Sequence, residues 1–174
     1  MARPSPDSLA LSRTVLRALV ALNLIMGVLI LALLTASLIA ETPVMGALGV
    51  GPPQGHSRLF AGMRLIMVLG ICAVPLAHFV LTRLLTIVKT VSAGNPFVVA
   101  NARRLQAIAW GMLGLELMHV AIGIVAASVS TAAAPLHLNW EFSLTRWLAV
   151  LMLFVLARVF EQAAQMREEL EGTV

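Results

Sequence analysis

ALVALNLIMGVLILALLTASLIA, residues Ala18–Ala40, runs for 23 residues without a charge. A bilayer core about 30 Å thick is crossed by ~20 apolar residues in helix, because a helix rises ~1.5 Å per residue. The stretch is long enough to span, and it sets the solvent in which the rest of the chain is read. Three further apolar stretches of spanning length follow, at about Leu59–Leu81, Leu105–Val129 and Phe142–Phe160. With 60% hydrophobic and 11% charged residues, the chain reads as an all-α polytopic membrane protein, a bundle of four transmembrane helices. It forms a single integral membrane domain, residues 1–174. Outside the spans there is room for short loops and the tail Glu161–Val174, but not for a soluble domain of ~50 residues.

Arg3, Arg13 and Arg17 ahead of the first run imitate a secretory signal. Signal cores are ~7–15 residues long, and a cut after Ala40 would put Leu38 where a small residue is needed. The first span is therefore expected to stay as an anchor. Of the 12 Lys and Arg residues, nine fall on the side of the termini: Arg3, Arg13, Arg17, Arg83, Lys89, Arg103, Arg104, Arg158 and Arg167. Arg58, Arg64 and Arg146 fall on the other. That asymmetry puts both termini in the cytoplasm and makes the bases topology determinants, not a phosphate-binding patch, so no direct nucleic-acid partner is expected. Trp140 and Trp147 are then expected at the outer interface.

Between the spans the loops carry their own signals. GALGVGPPQGHS (Gly46–Ser57) has neither strand nor helix period, and a polar loop holds Pro135, His137, Asn139 and Trp140. Pro75 inside the second span should kink it or free a carbonyl for another helix. That helix should continue beyond the membrane through Leu81–Val91. Gly94 is placed to end it in the left-handed conformation. Asn95 is placed to cap the next helix, with Pro96 at its first position and Phe97 after it.

Ionisable groups inside spans face a bundle interior or a partner. Glu116 lies twelve residues past Arg104, and Arg146 twelve before Arg158 on an antiparallel helix. Both stand about 18 Å from the mouth of the bundle, so a Glu116–Arg146 ion pair is expected. The alternative is a snorkelling Arg146 and a protonated Glu116. Glu116 and His119 share a helical face at i, i+3, but a di-iron bundle needs two such motifs and two more glutamates, so no metal site is expected. His78 and His119 stand at depths of about 8 and 22 Å, which opposes a bis-histidine haem and leaves no cofactor to expect. His78 is near the level of Asn23, so an interhelical hydrogen bond between them is the simpler expectation. The only cysteine, Cys72, lies in an apolar run and supports neither disulfide nor thiol metal site. No nucleophile elbow, zinc-protease motif or aspartate pair is present, so no catalytic residue and no enzymatic activity is expected.

Two stretches on the terminal side carry a pattern: VSAGNPFVVANARRLQAIAW (Val91–Trp110), with Gly94–Phe97 and Asn101, and VFEQAAQMREELEGTV (Val159–Val174). Together they resemble a bacterial four-span membrane family, domain of unknown function twenty-nine seventy-five. Ala163 and Met166 depart from the glycine and leucine of that family's ending. The resemblance covers essentially the whole chain and implies a bacterial cell (inner) membrane. It also implies a partner, a small helix-turn-helix DNA-binding regulator that the membrane protein would hold away from DNA. Glu161, Arg167, Glu168, Glu169 and Glu171 make a tail suited to a basic partner surface, or else a solvated helix end. Two further readings stand beside this one. The first is a small proton-coupled carrier or channel, a homo-oligomer using Glu116, His119, Arg146 and His78. The second is a structural subunit packing through its Gly/Ala faces, among them Gly111, Gly114, Gly123 and Ala127.

Overall fold

Lipid offers a backbone amide no hydrogen-bond partner, so an apolar stretch in a membrane must satisfy its own amides within a helix. The computed structural model describes residues 6–47, 57–94, 97–130 and 143–171. Its elements are α1 (Pro6–Ile39), α2 (Glu41–Ala47), α3 (Ser57–Ser92), α4 (Val99–Val129) and α5 (Leu144–Glu171). No strand occurs among the described residues. The long helices α1, α3, α4 and α5 each contain an apolar window able to cross a membrane.

Each long helix packs antiparallel on the next: α1 on α3, α3 on α4, and α4 on α5. The bundle is thus laid out as a row with α1 and α5 at its edges. The start of α1, the α3–α4 turn and the end of α5 share one side, called here the terminal side. The opposite, distal side carries α2. Glycines set the spacing of the seams. Gly27 of α1 faces Val74 of α3, where an added Cβ would come 2.9 Å from a valine methyl. On the α3–α4 seam Gly62 meets Val129, Gly111 meets Val80, and Gly114 meets Leu76. Small residues let backbones approach where dispersion and short polar contacts, not water exclusion, hold helices together.

Several boundaries differ from the sequence reading. The second helix continues past the membrane as expected and ends at Ser92, where Gly94 adopts φ 83°. Asn95 and Pro96 lie outside the described residues. α4 begins at Val99, and Val98 occupies the capping position in extended conformation with no side-chain cap. The helix start therefore falls beyond the expected Asn95 cap. Glu41–Ala47, expected as loop, forms α2, opened by an acidic residue in its first turn. Residues 48–56 and 131–142 lie outside the described residues, including Pro135, His137, Asn139 and Trp140. The tail continues α5 to Glu171, further than its periodicity alone indicates.

Close approach at Gly111 has a measurable consequence. An alanine there would put its Cβ 2.5 Å from Val80 Cγ2. Gly111→Ala should lower thermal stability in detergent by about 1–3 kcal/mol, the usual cost of overpacking. Gly46→Ala, with nothing within 4 Å, should leave the melting temperature unchanged or slightly raised.

Candidate functional site

The α4–α5 seam carries an ion pair between two of the apolar helices. Arg146 Nε lies 3.5 Å from Glu116 Oε1, with the Glu116 side chain 10% and the Arg146 side chain 41% exposed. Counting helical rise from the two ends brought these residues to one depth, and the contact bears that out. It also reveals a stagger. α4 continues from Glu116 to Val129, about 20 Å of helix. α5 begins only two residues before Arg146, with the Arg146 and Trp147 amides turning back onto the Ser143 carbonyl. The Trp110–Phe154 edge contact, at 5.1 Å between centroids, keeps the same register toward the terminal side. So α5 starts near the middle of α4, and the first turn of α5, with its partial positive charge, adds to the field of Arg146 at Glu116. Trp147 accordingly sits at mid-height of α4.

The other polar residues are distributed along the seams. Asn23 Nδ2 donates to the Val74 carbonyl at 3.1 Å, joining α1 to α3. The expected Asn23–His78 bond is replaced by this one, because Gly27 one turn along lets Asn23 reach backbone. The carbonyl taken adjoins Pro75 but is not the one that proline leaves free, which is four residues earlier. His78 Nδ1 is buried without a hydrogen-bond partner. Val80 and Leu76 pack at Gly111 and Gly114. His78, two residues from each, is therefore level with the α4 stretch between them but on the other face of α3, the one that carries Val74 toward α1. His119 is half-buried on α4, about 9 Å further along the helix axis. The structure does not bring the two histidines together.

At the terminal side Asn101 is 1% exposed. Its Oδ1 accepts from Arg104 Nη1 at 2.8 Å and lies 2.9 Å from Thr90 Oγ1. Thr90 Oγ1 is also 2.7 Å from the Ile87 carbonyl, so its one proton is shared between two acceptors. Asn101 thus staples the ends of α3 and α4 beside the Gly94 turn. Phe97 stacks on Phe160 of α5 at 5.4 Å, which ties the hairpin to the root of the tail. Glu161 accepts from Arg158 at 2.7 Å. Ala164 is still buried, whereas Arg167, Glu168 and Glu169 are exposed. Glu171 ends the helix.

Two features had escaped the sequence reading. Arg64 Nη2 donates to the Ser37 carbonyl at 2.7 Å and pairs with Glu41 at 3.2 Å, clamping α2 and the end of α1 onto α3. The opposite charges of Glu41 and Arg64 at neighbouring ends of two consecutive spans were the available signal. A cleft opens between α4 and α5 on the terminal side, lined by Ala102, Arg103, Gln106, Phe154, Arg158 and Glu161 among others. It joins residues far apart in sequence, so spacing could not show it.

Four apolar helices in antiparallel register, joined by sparse interhelical polar contacts, define a multi-pass helical membrane protein. No curated protein and no solved structure matches the chain significantly. The model of the family described as "Protein of unknown function (DUF2975)" matches residues 18–174, and the chain belongs to that family.

Breaking the ion pair from either side should expose its coupling. Glu116→Gln and Arg146→Gln should each lower stability, and the double variant should be less harmful than their sum. A coupling of about 1 kcal/mol, read from melting in detergent, is expected for a pair with one half-exposed member. Additive losses would mean that the contact carries no energy.

Proposed function

We propose that this is a non-enzymatic protein of the bacterial inner membrane that holds a small helix-turn-helix DNA-binding regulator at the cytoplasmic face. The observation that carries the reading is the continuity of α5. One unbroken helix leads from the Glu116–Arg146 pair inside the membrane to the exposed acidic end at Glu168 and Glu169. A rigid rod of this kind converts a shift at the ion pair into movement of the tail. The Phe97–Phe160 contact makes the hairpin and the root of the tail one surface. Acidic side chains there complement the basic face of a DNA-binding protein, which gives orientation and encounter rate more than raw affinity. The cytoplasmic placement rests on the nine-to-three distribution of Lys and Arg. The helix-turn-helix partner is what the family resemblance implies. The carrier reading has weaker support, because Glu116, the acid it needs as proton carrier, is engaged by Arg146.

Truncation after Ala164 keeps the buried part of α5 and removes the acidic end. In the native cell this variant should insert normally yet derepress the regulator's target genes, as measured by transcript level. Glu168→Lys with Glu169→Lys should do the same several-fold less completely. Unchanged transcription in a correctly inserted truncation would overturn the reading, as would adjacent genes that encode no DNA-binding protein.

A further inference from the structure

The terminal-side cleft between α4 and α5 has a polar rim and an apolar floor in a fixed order. Arg103 and Gln106 of α4 and Arg158 and Glu161 of α5 form the rim, and Val99, Ala102, Phe154 and Ala157 form the floor. Beyond Phe154, toward the middle of the membrane, Trp110 stands 60% exposed in edge contact with the Phe154 ring. Lys89 stands at the height of the rim, because Thr90 beside it contacts Asn101. Bases on three neighbouring helices therefore share one layer, and an apolar wall begins directly beneath it.

We propose that this cleft binds the phosphate headgroup of an anionic phospholipid, with one acyl chain laid along Phe154 and Trp110. Charge supports the choice. Arg158 is already paired with Glu161 through Nη1 at 2.7 Å, which leaves its other donors open. Arg103 is exposed and makes no ion pair or side-chain hydrogen bond among the described residues. Two guanidinium groups against one carboxylate leave the cleft a net single positive charge, which a phosphodiester neutralises. Glu161 faces the same space and repels a second negative charge, so the fit is to a monoanionic headgroup. The apolar floor separates this site from one for free phosphate, which would gain nothing from Phe154 or Trp110. Basic pockets between transmembrane helices recognise anionic headgroups in this way. The proposal is independent of the regulator reading, since lipid retention is measured without any protein partner.

The test is native mass spectrometry of the delipidated full-length protein in detergent, titrated with phosphatidylglycerol, phosphatidylcholine or inorganic phosphate. Phosphatidylglycerol should bind with one preferred site, and phosphatidylcholine and phosphate should not displace it. Arg103→Gln should weaken that binding about fivefold, and Arg103→Gln with Arg158→Gln about 25-fold, from the ordinary contribution of one base near a lipid surface. Arg167→Gln removes the same charge outside the cleft and should leave binding within about twofold. The single Arg103→Gln variant loses no described contact, so it reports even where the double variant fails to fold. Equal phosphatidylglycerol retention by Arg103→Gln and the unmodified protein would overturn the proposal. So would phosphatidylcholine binding as well as phosphatidylglycerol, or inorganic phosphate competing fully.

Discussion

The absence of hydrogen-bonding solvent in the bilayer core is the constraint on which this structure depends. It forces each apolar stretch to close its own backbone bonds, and it removes the hydrophobic force that packs soluble helices. What remains to hold helix to helix is close contact and a few polar groups. The molecule shows both, seam by seam. Gly27 and Asn23 serve the α1–α3 seam, Gly62, Gly111 and Asn101 the α3–α4 seam, and Trp110 with the Glu116–Arg146 pair the α4–α5 seam. In lipid a single satisfied polar contact fixes register, because sliding by one residue would leave both partners unsatisfied.

The polar contacts are also graded in height. Arg64 with Ser37 and Glu41 closes the distal side, the ion pair and the Asn23 bond lie in the interior, and Asn101 with Arg104 closes the terminal side. Among the described residues the terminal side carries more contacts between distant segments than the distal side. It gathers the Gly94 turn, the Phe97–Phe160 contact, the cleft with its arginines and the root of the tail. These elements lie far apart in sequence and meet on one face of the bundle.

Much of this was legible in the sequence. Run length gave four spans, since helix rise and bilayer thickness leave no other solution for uncharged stretches of that size. Equal counts from Arg104 to Glu116 and from Arg146 to Arg158 found the ion pair, because helical rise is constant. Gly94 was legible because only glycine takes φ 83° without cost. What failed were arguments from proximity in depth alone. Asn23 and His78 are at similar height, yet the asparagine takes the nearer backbone carbonyl. The Asn95 cap failed because a good capping residue does not oblige a helix to begin there. The stagger of α5 and the α4–α5 cleft depend on how two helices meet, which no single run of residues records.

That stagger bears on how the chain reaches its final state. A segment that opens with Leu144, Thr145 and Arg146 carries a base in its first turn, and an arginine drawn into lipid there adds to the cost of insertion. The same arginine is welcome once Glu116 is already in place on the preceding helix. Synthesis from the N-terminus supplies that order, with the acid delivered before the base that answers it. The ion pair thus favours a last helix that integrates after its neighbour has arrived.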